Sequence, residues 1–352
     1  MIKKRIWFNN WFNTAYHIIN LIKQNNEIEF EVFATNRNPN SVIFKACDYY
    51  EIEKIIPEEE YVDFCLDFCK KNKIDIFAPR TNMVTINQSS EKFEEIGVKL
   101  LTCCDSQNTR ILSDKALFYD YISQSTDLTS HPRHMLNGKR LFNIPKYYVV
   151  DNVHDFEKAC KNIINEGFKA CFKPVHSEGG AGFRIIDETA GSIDSLYSFS
   201  SLRITMDDVL KRLSQKESFK SLMVMEFIDG YEYSIDCLAL DRKLLSAVPR
   251  KKLDGRARLL EDSPELTYIA SELTRTFNLS YAFNVQIRYD GDCPKILEIN
   301  PRMSGGVWIS CLSGVNIPFL AVKLLLDKNP DTVIPRPKLD ILASQIEKEV
   351  LL

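Results

Sequence analysis

Three oxygen-bearing side chains late in the chain have the types and the spacing of a metal site. Glu298 and Asn300 stand two residues apart in an apolar stretch, and Gln286 lies in a similar stretch before an Asp-Gly-Asp turn sequence. Alternating apolar and polar residues in both stretches predict a β-hairpin, in which side chains two residues apart share a face. A carboxylate with two amide oxygens suits Mg²⁺. The alternative is a polar hairpin edge with a solvated glutamate.

A glycine-rich segment earlier in the chain could hold phosphate groups. Lys173 ends an apolar stretch that leads into Gly179, Gly180 and Gly182. The backbone N–H groups of such a flap can lie against phosphate oxygens, and the lysine supplies a point charge. Arg302 follows the predicted metal hairpin and could meet the same phosphates with its planar fork. For the glycines alone, the alternative is a mobile turn.

The elements that must position these residues begin with alternating strands and helices over the first hundred residues. Strands are predicted at 6–8, 30–34, 74–78 and 98–101, and the helices between them fall near 16–22, 61–71 and 89–95. This order predicts a parallel, doubly wound sheet. The first strand-to-helix turn contains no glycine, so its backbone cannot approach a dinucleotide pyrophosphate. We therefore do not expect NAD or FAD.

Two turns at the carboxyl ends of these predicted strands carry polar residues. The first contains Asn9, Asn13 and Thr14, and the second contains Arg80. Ligands of open α/β sheets bind at such strand ends, so Arg80 could grip an anionic group of the acceptor substrate. The alternative is helix capping and surface hydrogen bonding.

Composition and charge are those of an ordinary globular protein. The chain has 352 residues, of which 45% are hydrophobic and 26% charged, which is enough for two or three packed units. Its net charge of −3 argues against nucleic-acid binding, because contact with a phosphate backbone needs a basic excess. No apolar run reaches membrane-spanning length, and the first residues lack a signal-peptide core. We expect a cytoplasmic protein without nucleic-acid or membrane partners.

The predicted metal hairpin also supports a family resemblance. The segments NVQIRYDG and ILEINPRMSGG resemble the paired metal-binding strands of the ATP-grasp superfamily, and Lys173 and the glycine flap precede them in the family's order. The likeness runs from about Ile111 to Leu326 and is nearest to the carbamoyl-phosphate-synthase-like branch. It implies ATP and Mg²⁺ as cofactors, with Mn²⁺ as a substitute, and an ATP-grasp fold.

The resemblance implies further contacts with the nucleotide. Lys115, in the SDK segment that begins a predicted helix, would reach the phosphates. The backbone of Glu226, Phe227 and Ile228 would meet the adenine edge, and Glu232 would accept hydrogen bonds from the ribose hydroxyls. Lys173 and Arg302 would stabilise the transition state.

A run of basic residues follows the predicted nucleotide segments. Residues 249–258 hold five cations, which are Arg250, Lys251, Lys252, Arg256 and Arg258. Such a run is usually a solvated face, but the resemblance places it where basic residues meet the transferring phosphate or an anionic acceptor. Arg250 or Lys251 is therefore a candidate for catalysis. For the nearby Asp236 we favour strand-end hydrogen bonding.

The resemblance also implies how the chain is divided. The expected parts are an N-terminal pre-ATP-grasp α/β domain at 1–112, a connecting helix and loop at 113–145, a small α+β lid at 146–226, an α+β body with an antiparallel sheet and the metal site at 227–330, and a C-terminal tail at 331–352. Nucleotide is expected between the lid and the body.

The implied enzyme is a carboxylate-amine ligase. It would phosphorylate a carboxylate with ATP, release ADP, and join the acyl group to an amine, with small molecules as partners and a homodimer left open. One alternative is phosphorylation of bicarbonate with separate partner proteins, as in carbamoyl-phosphate synthases and biotin-dependent carboxylases. The other is an ATP-binding regulator that does not turn over.

Overall fold

The computed structural model describes residues 2–125, 135–136, 139–177, 179–193, 197, 202–329, 331–346 and 349–351. These residues form two compact units. The first unit comprises Met1–Leu112, Glu232–Gln286 and Ile299–Leu352, and the second comprises Ser113–Tyr231 and Ile287–Glu298. Residues 126–134 and 137–138 of the predicted connecting loop lie outside the described residues.

The first unit begins with a five-stranded parallel sheet of order β3-β2-β1-β4-β5. Its strands are β1 Ile2–Asn9, β2 Ile28–Asn36, β3 Tyr49–Ile52, β4 Ile76–Ala78 and β5 Lys99–Leu100. The helices are α1 Ala15–Lys23, α2 Glu58–Asn72, α3 Met83–Gln88, α4 Ser90–Glu95 and α5 Ser106–Ser113. Strand β1 is buried on both faces, since Trp7 packs with α2 and Phe8 with α1. This arrangement confirms the predicted doubly wound parallel sheet.

Six more strands form an antiparallel sheet of order β17-β16-β13-β14-β15-β18. They are β13 Glu232–Leu240, β14 Lys243–Lys252, β15 Ala257–Leu260, β16 Tyr281–Asp290, β17 Cys293–Asn300 and β18 Ile341–Ser344. The helices of this part are α9 Pro264–Thr276, α10 Val307–Ser310 and α11 Ile317–Asp327. Strand β18 pairs with β15, so the segment predicted as a C-terminal tail contributes an edge strand to this sheet.

One continuous core joins the parallel sheet to the antiparallel strands within the first unit. It contains Ile6 and Phe8 of β1 together with Leu238 of β13 and Val248 of β14, all fully buried. Helix α11 contributes an apolar surface to the same core, and Asn316 at its start donates from its side chain to the Leu21 carbonyl at 2.8 Å. The described residues contain no single helix that is long and apolar enough to span a membrane, although Val307–Ser313 and Ile317–Asp327, bent by 91°, reach that length and composition as a pair.

The second unit is a smaller α+β structure. Its described strands are β6 Met135–Leu136, β7 Lys139–Arg140, β8 Tyr147–Val150, β9 Ala170–Pro174, β10 Arg184–Ile186, β11 Arg203–Ile204 and β12 Leu222–Glu226, and its described helices are α6 Lys115–Gln124, α7 Val153–Asn165 and α8 Met206–Leu213. Helix α6 starts one residue later than the SDK segment predicts. Its cap is Asp114, whose carboxylate accepts from two backbone N–H groups.

Candidate active site

The centre of the first unit's polar site is a buried ion pair. Asp236 and Arg250 lie 3.1 Å apart and are 1% and 8% exposed. The pairing register of β13 and β14 explains the contact, because Arg250 stands opposite Ser234 and Asp236 is two residues further along the same face. Asp236 lies in the middle of β13 and not at a strand end, which corrects the sequence-based interpretation.

Neighbouring polar side chains satisfy both members of the pair. The Asp236 carboxylate accepts from the Ser310 hydroxyl at 2.6 Å and from the Asn284 amide at 2.9 Å. Arg250 donates to the hydroxyl oxygens of Ser234 and Ser304 at 3.1 and 3.3 Å. A buried charge needs such partners, so the network fixes the guanidinium in one position.

Arg250 forms part of the wall of a cavity of about 200 Å³ in the first unit. The cavity is lined by Glu232, Ser234, Arg250, Lys252, Arg258, Gln286, Ser304, Gly305 and Gly306. Three of these side chains are cationic and one is acidic; Glu232 lies 3.6 Å from Lys252. Burial, and then the like charge of Arg250, lowers the pKa of Arg258. This excess of positive charge suits an anionic ligand.

The predicted metal ligands occupy the strands on which the sequence placed them. Gln286 is on β16 and lines the cavity, while Glu298 and Asn300 stand two residues apart on β17. The Asn300 amide nitrogen lies 3.5 Å from the side-chain oxygen of Asn284, a contact that directs its nitrogen toward Asn284. An amide held by its nitrogen offers its oxygen to a cation, so the donor set fits Mg²⁺. In the described part of the chain, no three His, Cys, Asp or Glu side chains form a separate metal cluster.

The second unit contains the predicted phosphate-binding lysines and glycines. Burial lowers the pKa of Lys173 at the end of β9, while the nearby carboxylate of Glu298 raises it and the charge of Lys115 lowers it further. Lys115 donates to the Ser177 carbonyl at 2.6 Å, so it holds the segment that enters the glycine flap. Gly182 has a φ of +76°, and a Cβ there would stand 2.7 Å from the ring of Pro174. A side chain at this position would therefore disturb the flap.

The predicted adenine segment is held by charged side chains of the second unit. Glu226, at the end of β12, forms a 2.6 Å ion pair with Lys295, which also lies 2.8 Å from Asp290. The Glu226 side chain therefore has a structural role, and the backbone of Glu226 is the part predicted to meet adenine. Arg288 donates to the Ile228 carbonyl at 3.0 Å, with its guanidinium carbon 5.6 Å from the ring of Phe227.

Two further arginines meet on one aromatic ring in the first unit. The guanidinium carbons of Arg80 and Arg302 lie 5.9 and 5.5 Å from the centre of the Phe12 ring. Phe12 belongs to the turn after β1, and Arg80 belongs to the turn after β4. The sequence pointed to Arg80 and Arg302 separately, but nothing in it singled out Phe12. Asn284 and Asp236 were also missed as site residues, because their contacts depend on strand register.

Comparisons with known families bear on this geometry. The family described as ATP-grasp in the biosynthetic pathway with Ter operon matches residues 218–349. The chain carries an ATP-grasp domain. The PylC-like N-terminal domain family matches residues 13–101, which include strands β2 to β5 of the parallel sheet and the turn that carries Arg80. The suspected ATP-grasp relationship is therefore confirmed.

A curated relative extends the match over most of this chain. The carbamoyl phosphate synthase large chain of Clostridium acetobutylicum is 20% identical over 320 residues, covering 86% of this chain and 26% of that protein. The chain spans about a quarter of the length of such relatives. The likeness supports homology with this branch.

Solved structures share the fold at low sequence identity. N5-carboxyaminoimidazole ribonucleotide synthetase, in a complex with ADP, superposes with a TM-score of 0.65 at 11% identity, covering 97% of this chain and 81% of that one. The L-amino acid ligase of Bacillus licheniformis gives a TM-score of 0.59 at 14% identity, covering 93% and 75%. The predicted fold class, with a parallel N-terminal sheet and an antiparallel body, is thereby confirmed.

Proposed function

We propose that this ATP-grasp protein is an ATP-dependent carboxylate-amine ligase. The observation that carries the proposal is the cationic cavity of the first unit, in which Asp236 holds Arg250 beside Gln286. A fixed guanidinium beside a predicted metal ligand can stabilise negative charge that develops on a transferring phosphoryl group. ATP is proposed as the phosphoryl donor because of the similarity to ATP-grasp proteins.

ATP is proposed to bind through the residues that the family resemblance indicates. Lys115, Lys173 and the glycines at 179, 180 and 182 would meet the phosphates. The backbone of residues 226–228 would meet adenine, and Glu232 would meet the ribose. The position of Lys173 near Glu298 supports this proposal, because a cation that binds phosphate and a carboxylate that binds a metal must stand close together. The lid and body boundaries at 146–226 and 227–330 stay predictions.

Gln286, Glu298 and Asn300 would hold Mg²⁺, or Mn²⁺ in its place. The bound cation would supply neutralisation of charge on the phosphate oxygens. Arg250 would hold the acceptor carboxylate, and Lys173 would hold the phosphoryl group in line with it. Gln286 is a neutral amide ligand, and it would bind a cation less strongly than a carboxylate at the same position.

The proposed reaction has two steps that balance. A carboxylate oxygen attacks the γ-phosphorus of ATP, the bond from that phosphorus to the bridging oxygen breaks, and ADP leaves. An amine nitrogen then attacks the acyl carbon, inorganic phosphate departs, and the nitrogen loses a proton to give an amide. Arg250 would stabilise charge in the first step, and exclusion of water would protect the acyl phosphate.

A direct test is to incubate the protein with Mg-ATP and pooled carboxylates and amines, and to follow nucleotides and product masses by mass spectrometry. We expect ADP to appear only when an acid and an amine are both suitable, with a product lighter than their sum by one water. The variant Glu298→Gln/Asn300→Ala should lose turnover while it remains folded. Wild-type rates in that variant would contradict the metal assignment.

Other results of the same test would favour the alternatives. ADP formation that requires bicarbonate and a separate protein would indicate the carbamoyl-phosphate-synthase or carboxylase type of chemistry. ATP that binds but stays intact across a broad pool would favour a regulator. Small-molecule substrates, a cytoplasmic location and a homodimer are retained as predictions.

A further inference from the structure

We propose that the acid substrate carries a second anionic group, and that Arg80 and Arg302 bind this group beside Phe12. The inference rests on the proposed function, because it describes the acid that the ligase would activate. It assigns a substrate class, which is a dicarboxylate or a carboxylic acid that also bears a phosphate.

The first observation is the convergence of two cations on one ring. The guanidinium carbons of Arg80 and Arg302 are both within 6 Å of the Phe12 ring centre, at 5.9 and 5.5 Å. The two arginines come from distant parts of the sequence, the turn after β4 and the segment after β17. Two cations beside one ring attract an anion more strongly than either cation does alone. The planar fork of each guanidinium matches a carboxylate or phosphate.

The second observation is that the turns are fixed by buried polar contacts. Asn9 is fully buried, and its side-chain oxygen accepts from the Arg80 backbone N–H at 2.6 Å. Trp11 donates from its indole nitrogen to the Ala78 carbonyl at 2.8 Å, and the Trp11 carbonyl accepts from Asn36 at 3.0 Å. The positions of Phe12 and Arg80 are therefore set before any ligand binds, which reduces the entropy lost on binding.

A buried carboxylate reinforces the same edge of the sheet. Glu53 accepts from the hydroxyls of Thr35 and Tyr61 at 2.8 and 3.0 Å, and Tyr61 in turn accepts from Asn9 at 3.0 Å. A continuous hydrogen-bonded chain thus runs from Glu53 to the backbone of Arg80. Such a network is more than helix capping requires, and it suits a rigid ligand-binding edge.

The third observation joins this edge to the cavity. Ser304, Gly305 and Gly306 line the cavity, and Gly305 also packs against the β1 turn. A Cβ on Gly305 would stand 3.2 Å from the Thr14 hydroxyl and 3.8 Å from the Phe12 ring. The segment that begins at Arg302 therefore contacts the cavity and the Phe12 turn within five residues. A small acid can place its reacting carboxylate at Arg250 and its second anionic group at Arg80 and Arg302.

The test compares acids that differ only in the second anionic group. Binding of succinate and of butyrate is measured by calorimetry in the presence of Mg²⁺ and a non-hydrolysable ATP analogue, and glutarate and 3-phosphoglycerate extend the panel. We expect at least one of the dianionic acids to bind about tenfold or more tightly than butyrate. Arg80→Gln should reduce this preference to less than about twofold, whereas Arg80→Lys should keep part of it.

Arg110→Gln is the matched control. Arg110 is an exposed arginine on α5 of the first unit, and the variant removes one positive charge while leaving the Phe12 ring with both of its arginines. This variant should keep the wild-type preference. Equal binding of dianionic acids and butyrate by the wild type, no binding of any panel acid, or an unchanged preference in Arg80→Gln would each overturn the inference.

The outcome also separates this inference from the proposed function. ADP formation with an acid and an amine, but without a preference for a second anionic group, would reject only the substrate class. A preference that depends on Arg80, in a protein that forms no ADP with any panel acid, would reject the ligase reaction and keep the anion site.

Discussion

Asp236 and Arg250 share a buried ion pair 3.1 Å long, with the Asp236 carboxylate also bonded to Ser310 and Asn284. Removing one partner should lower the stability of the fold, because the other charge would stay buried without compensation. The guanidinium also faces the proposed ligand cavity. The same contact thus concerns both stability and anion binding, and two variants can separate these effects.

Asp236→Asn should lower the free energy of unfolding by about 3 kcal/mol, because Arg250 would lose its buried counter-charge. The double variant Asp236→Asn/Arg250→Met should be more stable than the single variant, since no unpaired charge remains. Urea unfolding of the four proteins in this cycle measures both effects. A change in the double variant equal to the sum of the changes in Asp236→Asn and Arg250→Met would show that the pair is not energetically coupled.

Gly306→Ala should displace Arg250 without straining the backbone. A Cβ at Gly306 would stand 2.7 to 2.9 Å from the guanidinium atoms, while the φ of −112° suits any residue. We expect ADP formation to fall at least about tenfold and nucleotide binding to remain within about twofold, because the guanidinium moves and the predicted nucleotide residues do not.

Gly191→Ala provides the comparison for Gly306→Ala. Gly191 has no positive φ, and a Cβ there would meet only the Thr205 methyl group at 3.1 Å. This variant should retain wild-type activity. Similar activity losses in both variants would argue against a specific effect on Arg250.

Strands and helices were predicted best where one sequence pattern decides the structure. The hairpin formed by β16 and β17 was predicted because apolar and polar residues alternate on both sides of an Asp-Gly-Asp turn. The helix predicted near 61–71 lies within α2, Glu58–Asn72. In each case, the local pattern and the tertiary packing favour the same structure.

Features that depend on distant residues could not be predicted in this way. Asp236 pairs with Arg250 because of the register between β13 and β14, and no local pattern specifies that register. The meeting of Arg80 and Arg302 on Phe12 depends on three separate turns. Strand β18 is four residues long and follows a proline-containing segment, so its pattern was too short to recognise.

Arg288 should be a positioning residue for nucleotide binding. It donates to the Ile228 carbonyl and lies over the Phe227 ring, so it fixes the segment that is predicted to meet adenine. Arg288→Ala should weaken binding of a fluorescent ATP analogue about tenfold, and Arg288→Lys should restore part of the affinity.

Arg242→Lys, in an exposed turn of the first unit, provides the comparison for Arg288. Its affinity for the analogue should equal that of the wild type. If Arg288→Ala binds the analogue normally, the guanidinium does not position the nucleotide segment. A shift in the preference between ATP and GTP analogues would support a local effect at the base, because general destabilisation would not change that ratio.

Lys173 is proposed to bind phosphate, and its ammonium group is buried in an environment that disfavours its charge. Burial lowers the pKa of its ammonium group below the ordinary value of 10.5, although Glu298 partly opposes the effect. The charged form is therefore less stable in the folded protein than in the unfolded chain. Lys173→Met should raise the free energy of unfolding by about 1 kcal/mol at pH 7, while it weakens ATP binding.

The pH dependence of this difference follows from the sign of the shift. Between the lowered pKa and 10.5 the unfolded chain binds more protons than the folded protein, so the wild type gains stability as the pH rises through that interval. The advantage of Lys173→Met should therefore shrink from pH 7 toward pH 10.5. Urea unfolding of both proteins across this range, with Lys169→Met as a comparison elsewhere in the second unit, measures the change. A constant difference would mean that the Lys173 charge does not limit stability, and its proposed place beside the phosphates would then need another physical explanation.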